Sequence, residues 1–282
     1  MKTIYRLLFP AITALALSSC VKDDLHDTPH PSTGTVTVTA DWSALGSGVA
    51  IPDEYNIVIG DFIQTVSSPT NTLAHTFAPG QYEILLHNTP DGITVSGDNA
   101  GVNPSSRTDG EIEPMPGFLF SGCRSDLMVI PDATTAITVR LNQYVRRLNI
   151  ELTVAEGDHS RIASASASLS GVESRINHRN GERAAIPATV SSTFSKTNET
   201  LSVSYNLLGV VHSSKPTLLT TLTFTDGHVQ TIESDLSEGL SEFHNDIEPL
   251  TLRASLSVPV QSGMTATITG WHKADGGNVD AH

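Results

Sequence analysis

Hydrophobic and polar residues alternate with a period of two along much of the chain. Thr35-Val36-Thr37-Val38-Thr39-Ala40-Asp41-Trp42 is the clearest case. That period puts Val36, Val38 and Ala40 on one face of a strand and the threonines on the other. Similar runs occur at 55–59, 81–87, 93–95, 127–130 and 136–141. A second set occupies 148–154, 162–169, 189–194, 201–207, 217–224, 229–233, 250–256 and 266–269. Asp226-Gly227 separates two of these runs and predicts a hairpin, because a primed turn matches strand twist. Pro79-Gly80 and Asp91-Gly92 bracket another strand. Helical signal is thin: 236–247 has room for one short turn, which Pro249 would stop. Residues 97–117, rich in Gly, Pro, Ser and Asp, read as a long exposed loop. Short strands with turn residues about every 8 to 12 positions predict β-sandwiches. The two sets therefore predict an all-β chain of two sandwiches in tandem, 34–143 and 144–282, joined near Asn142–Arg147.

The pattern breaks at the N-terminus. Lys2 and Arg6 precede an apolar stretch, Leu7–Leu17, and then the small residues Ser18 and Ser19. This is the layout of a secretory signal peptide over residues 1–19. The stretch is about half the roughly 20 residues a bilayer-spanning helix needs. Leu17-Ser18-Ser19-Cys20 resembles a bacterial lipobox, in which the cysteine sulfur receives a diacylglyceryl group and becomes the first residue of the mature chain. Lys22-Asp23-Asp24 resembles the lysine-plus-acidic signal that sends Bacteroidetes lipoproteins to the cell exterior. Residues 20–33, with Pro29 and Pro31, read as an extended tether. The expected location is the outer membrane, lipid-anchored and facing outward.

Charge narrows the partners. Sixteen Lys and Arg against thirty Asp and Glu give −14; without Lys2 and Arg6 the balance is 14 against 30, or −16. Such a chain repels nucleic acid and anionic lipid, so neither is expected as a partner. Apart from Cys20, Cys123 is the only thiol, which excludes an intramolecular disulfide in the mature chain. Its apolar neighbours Phe118, Leu119 and Phe120 predict a buried structural cysteine.

Several segments together resemble a known family. They are Cys20 with Lys22-Asp23-Asp24 ahead of a first strand ending in Asp41-Trp42; Pro79-Gly80-Gln81-Tyr82 running to His87-Asn88; Ala136–Leu141 running into Arg146-Arg147-Leu148-Asn149-Ile150; and Ile268-Thr269-Gly270-Trp271 followed by Gly276-Gly277-Asn278-Val279. In order and spacing they resemble the fimbrial anchor and fimbrillin-like lipoproteins of Bacteroidetes, the subunits of type V pili. The resemblance covers nearly the whole chain. It implies two transthyretin-like, Greek-key sandwiches, a role in building or tethering a surface fimbria, and other fimbrial subunits as partners. It implies no catalysis. The short chain beyond Trp271 and the lack of an arginine-bearing pro-segment favour an anchor or accessory subunit over a shaft subunit. Subunits of this kind would join by strand addition, in which a partner strand satisfies an unpaired sheet edge. The open edge is not identifiable at this level.

Other constellations carry less. His26 and His30 are four apart, but Pro29 and Pro31 exclude the helix that would align them. His272, Asp275, Asp280 and His282 match no known calcium loop and read as a polar tail. No metal or other cofactor is expected beyond the lipid on Cys20. Ser121-Gly122-Cys123 lacks the flanks of a nucleophile elbow. Asp109, Glu111 and Glu113 read as a solvated run, and Arg146-Arg147 as a strand-edge pair at the join with one residue solvated, a protease site or half of an interdomain ion pair being the alternatives. The alternative function is glycan capture in an outer-membrane uptake system, which needs exposed aromatic platforms. With 5% aromatics, and Trp42 and Trp271 both expected in cores, little remains for one. The anchoring expectation has a direct test. Cys20→Ala should move the protein from the membrane fraction to the soluble fraction in its native host; unchanged membrane retention contradicts lipidation.

Overall fold

Val36, Val38 and Ala40 are buried along β1 (Thr35–Asp41), and the residues between them are half-buried. The computed structural model describes residues 32–258 and 265–274; Cys20, Lys22, Asp23 and Asp24 lie outside them. The strands that follow β1 are β2 (Tyr55–Ile59), β3 (Phe62–Val66), β4 (Thr70–Thr72), β5 (Gly80–His87), β6 (Ile93–Ser96), β7 (Asn99–Val102), β8 (Phe120–Val129), β9 (Thr134–Arg140) and β10 (Asn142–Gln143). A sheet ordered β4-β1-β9 packs on a sheet ordered β10-β8-β5-β2-β3. Val36, Val38, Ile57, Ile84, Leu86 and Phe120 meet between them. Trp42 sits at the margin of this core, its ring edge-on to Tyr55 at 5.6 Å and to Phe120 at 5.5 Å. On the outer face of β1 the threonines are paired across strands, Thr37 with Thr72 at 2.9 Å and Thr39 with Thr70 at 3.0 Å. Each such pair contributes roughly 0.2–1 kcal/mol.

The second set gives β11 (Arg146–Glu156), β12 (Ile162–Glu173), β13 (Arg175–Asn177), β14 (Pro187–Thr193), β15 (Ser195–Thr197), β16 (Thr200–Leu207), β17 (Thr217–Phe224), β18 (Val229–Asp235), β19 (Leu250–Ser257) and β20 (Thr267–Lys273). Sheet β15-β16-β11-β19-β20 faces sheet β14-β12-β17-β18. Their core includes Leu148, Ile150, Leu169, Tyr205, Leu218 and Leu252. Asp226-Gly227 makes the expected hairpin between β17 and β18, with Gly227 at φ +83° and Gly227 N–H donating to the Phe224 carbonyl. The two sandwiches share a layout: the first strand of each pairs in parallel with a late one, β1 with β9 and β11 with β19.

Residues 97–117 are not the free loop that their composition suggests. They include β7, and beyond it the chain straps the first sandwich to the second. Ile112 N–H donates to the Thr189 carbonyl at 3.0 Å, and Asn206 N–H to the Pro114 carbonyl at 2.9 Å. The Asn206 side chain also donates to the Pro116 carbonyl at 2.8 Å. Gly and Pro mark the corners of such a strap, but not the destination of its backbone bonds. Residues 236–247 form tight turns, with Leu240 N–H donating to the Leu236 carbonyl.

Three joints hold the sandwiches together. The first is a sheet ordered β13-β7-β6, built from both, over a small core of Ile93, Ala100, Leu119, Val145, Ile176 and Leu208. In the second, Gln143 accepts from Gly46 N–H at 2.9 Å and donates to the Val145 carbonyl at 2.8 Å. Beside it, Arg146 donates to the Glu248 and Phe243 carbonyls and lies over the Phe243 ring, while Arg147 reaches Asn206. Neither arginine is the solvated edge residue that sequence suggests.

The third joint is made of imidazoles. His178 is fully buried; its Nε2 lies 3.0 Å from the Gly97 carbonyl and its Nδ1 3.0 Å from the Ser121 hydroxyl. A carbonyl only accepts, so Nε2 carries the proton. Within the second sandwich, His244 Nε2 accepts from Val210 N–H at 3.0 Å. Burial pushes the pKa of His87 and His178 down. Burial, with Arg183, His212 and Arg146 nearby, takes His244 from 6.5 to about 4. Each folded pKa lies below its unfolded value, so these buried imidazole contacts are fully stable above about pH 6.5 and weaken as pH falls, that of His244 towards 4. Thermal melts should therefore lose stability between pH 7.5 and pH 5, by an order of 1–2 kcal/mol after allowing for partial exposure. His244→Gln, which keeps an acceptor, should reduce that loss. A melt unchanged over this range contradicts the account.

Candidate assembly edge

A sandwich has two open sides, where the outer strands of its sheets leave backbone N–H and C=O groups without neighbours. In the first sandwich both are closed. On one side the chain crosses between sheets at 67–69, and the residues beyond β4 stay on β1: Leu73 N–H donates to the Val36 carbonyl, and Gly34 and Phe77 exchange backbone bonds. The edge of β3 is covered as well, with Ala74 N–H donating to the Gln64 side chain and Phe62 stacked on His75 at 5.1 Å. On the other side β8 folds over β9. Gly122 approaches so closely that a Cβ there would meet the Arg140 carbonyl oxygen at 2.1 Å. Arg124 also donates to the Thr138 carbonyl.

Among the described residues the second sandwich is closed on one side only. There β14 passes through Phe194 into β15, so one stretch of chain edges both sheets. The strap further covers β14, through Ile112 N–H and through Glu111, which accepts from the Ser191 hydroxyl at 2.8 Å. Glu111 is thus a strap residue, not part of a solvated acidic run. On the opposite side lie β18 and β20. Among the described residues, the hydrogen bond that spans this seam is Ala266 N–H to the Gln230 side chain at 2.8 Å. Register shows which groups of β20 are free. Ala274 N–H donates to the Thr251 carbonyl, and Leu252 pairs with Lys273. Antiparallel alternation then directs the Lys273 N–H and C=O away from β19, towards the seam.

The seam widens at one end into a cleft of about 690 Å³, lined by Asp235, Leu236, Glu238, Ser241, Trp271 and Lys273 among others. A second depression of about 320 Å³ adjoins it and shares Glu242 and Lys273. The Lys273 ammonium donates to Glu242 at 2.9 Å, bridging the two. That ion pair holds the Glu242 carboxyl below its ordinary range, and Asp235 is held down likewise by Ser237, whose N–H donates to it. Trp271 is only half-buried: it packs on the second core and also lines the cleft. Its Nε1 is buried and has no acceptor among the described residues. Sequence placed this tryptophan in a core because it follows an alternating run. The run belongs to β20, the last strand of its sheet among the described residues.

The remaining candidates resolve into structure. Ser121 and His178 form a hydrogen-bonded pair, but both are fully buried, and the Ser121 hydroxyl also lies 3.1 Å from the Leu86 carbonyl. Neither is accessible to a substrate. Cys123 is half-buried rather than buried, and its surroundings push its pKa up, the reverse of what a nucleophilic thiolate needs. No cluster of metal-ligating side chains occurs among the described residues. His272 accompanies β20; Asp275, Asp280 and His282 lie outside the described residues, as do His26 and His30.

A sequence profile of the fimbrillin-A associated anchor proteins Mfa1 and Mfa2 matches residues 56–275. Among curated protein sequences none matches significantly. Several solved structures share the fold. An adhesin candidate from Bacteroides ovatus superposes with a TM-score of 0.60 at 14% identity, over 84% of this chain and 92% of that one. An adhesin candidate from Bacteroides thetaiotaomicron gives 0.57 at 12%, over 88% and 97%. The fimbrial anchor protein Mfa2 from Porphyromonas gingivalis gives 0.53 at 11%, over 86% and 97%.

Proposed function

The chain belongs to the family of fimbrillin-A associated anchor proteins, and from that premise we propose how it anchors: lipid at one end, strand addition at the other. A fimbrial anchor serves cell adhesion at the cell surface, and its partners are fimbrial subunits. In our reading residues 1–19 are removed and Cys20 carries the acyl chains in the outer membrane. Lys22-Asp23-Asp24 directs the protein outward, and the tether ends on β1 of the first sandwich, 34–143. The second sandwich, 144–282, receives the partner at the β18–β20 seam.

The observation that carries this reading is the seam itself. Among the described residues, three sandwich sides are closed by chain crossings, straps or folded hairpins, and at the fourth Ala266 N–H donates to the Gln230 side chain. A partner strand laid there would pair its backbone with β20, and its alternate side chains would enter the cleft. No catalytic step is part of the proposal; the Ser121–His178 pair is buried in a joint.

The test is to purify the protein from its native envelope with whatever fimbrial subunit accompanies it and to compare hydrogen exchange with and without that partner. Amides of 229–235 and 267–273 should exchange at least tenfold more slowly in the complex. Protection confined to other segments would overturn the assignment of the seam. Purification without any fimbrial subunit would overturn the anchoring role.

A further inference from the structure

We propose that the Trp271 cleft selects a basic side chain, lysine or arginine, carried on an extended segment of the partner polypeptide. The inference rests on the seam being the docking edge and adds what that edge recognises.

Three observations lead to it. The first is charge. Asp235, Glu238 and Glu242 line the cleft against one lysine, Lys273, which is already paired with Glu242. In the adjoining depression the Arg146 guanidinium is committed to the Phe243 and Glu248 carbonyls and to Asp246. Glu238 thus faces the cleft without a cation bound to it there, while Lys215 lies near Asp235 and His272 shares the lining, in a chain whose charge is already −14. An anionic ligand is repelled and a cationic one drawn in.

The second is the indole. A buried N–H without an acceptor costs about 1–3 kcal/mol. Phenylalanine would pack at Trp271 without that cost, so core packing alone does not account for a tryptophan on this edge strand. An indole face beside carboxylates is the arrangement that holds a cation. A Lys or Arg head within about 6 Å of the ring gains roughly 0.5–1 kcal/mol when exposed and about 2 or more when desolvated.

The third is continuity with the free backbone. The Lys273 N–H and C=O that face the seam belong to a residue that lines the cleft. A strand pairing there would bring every second side chain over the cleft. At about 690 Å³ the cleft holds a long basic side chain together with flanking residues.

Intrinsic fluorescence tests this directly, because the chain has two tryptophans, Trp42 and Trp271. In a Trp42→Phe background Trp271 is the remaining reporter. The probes are a blocked peptide of alternating threonine and lysine, the same peptide with glutamine for lysine, and maltoheptaose as a neutral sugar chain. The lysine peptide should give a saturable change with an affinity at least tenfold tighter than the glutamine peptide, weakening as salt is raised. Glu238→Gln, at an exposed position, should lower that affinity severalfold without altering the melt. Equal affinity for the two peptides would overturn basic selection while leaving strand docking in place. A response to maltoheptaose alone would make the cleft a glycan site and overturn the inference. Silence to all probes, with 267–273 still protected by the native partner, would overturn it without touching the assembly reading.

Discussion

An unpaired sheet edge is the constraint on which the rest of this molecule depends. Every exposed strand carries donors and acceptors that must be covered, blunted or given to another chain. This protein covers most of its own. The crossing at 67–69, the folding of β8 over β9, the passage of β14 into β15 and the 103–118 strap each use local chain to close a side. The β18–β20 seam receives no such treatment among the described residues. The cleft and its charge matter because they lie where backbone groups are still free.

Much of the fold is legible in the order of residues because alternation is a direct record of burial. The strands around Val36, Ile57, Ile150 and Leu218 follow from period two alone, and the hairpin at Asp226-Gly227 from turn chemistry. Short edge strands escaped that logic. β3, β4 and β15 are exposed on much of their surface, so their residues show no clean alternation. β7 and β13 were hidden for a different reason: each pairs with a strand of the other sandwich, and only the folded chain brings them together.

The assembly edge was legible only in part. The expectation of strand addition came from resemblance, while the choice of edge needed the register of β20 against β19. Trp271 packs on the second core as expected, but its place in the cleft was not visible, because a tryptophan after an alternating run looks the same whether the strand is central or peripheral. The arginines at the join were also underrated. Arg146 is half-buried, yet its donors go to main-chain carbonyls of a segment about a hundred positions away, a pairing that no local pattern encodes.

The parallel pairing of first and late strands has a mechanical consequence. An anchor is pulled from both ends. In the first sandwich, load arriving through the start of β1 leaves through the end of β9, and these strands run side by side in the same direction over 35–41 and 134–140. Opposed forces on such a pair act along the strands, so the hydrogen bonds between them share the strain together instead of parting one after another. β11 and β19 repeat the arrangement over 148–156 and 250–257. A sandwich pulled at the two ends of such a pair therefore carries tension in shear, the loading direction in which a ladder of weak bonds resists rupture best.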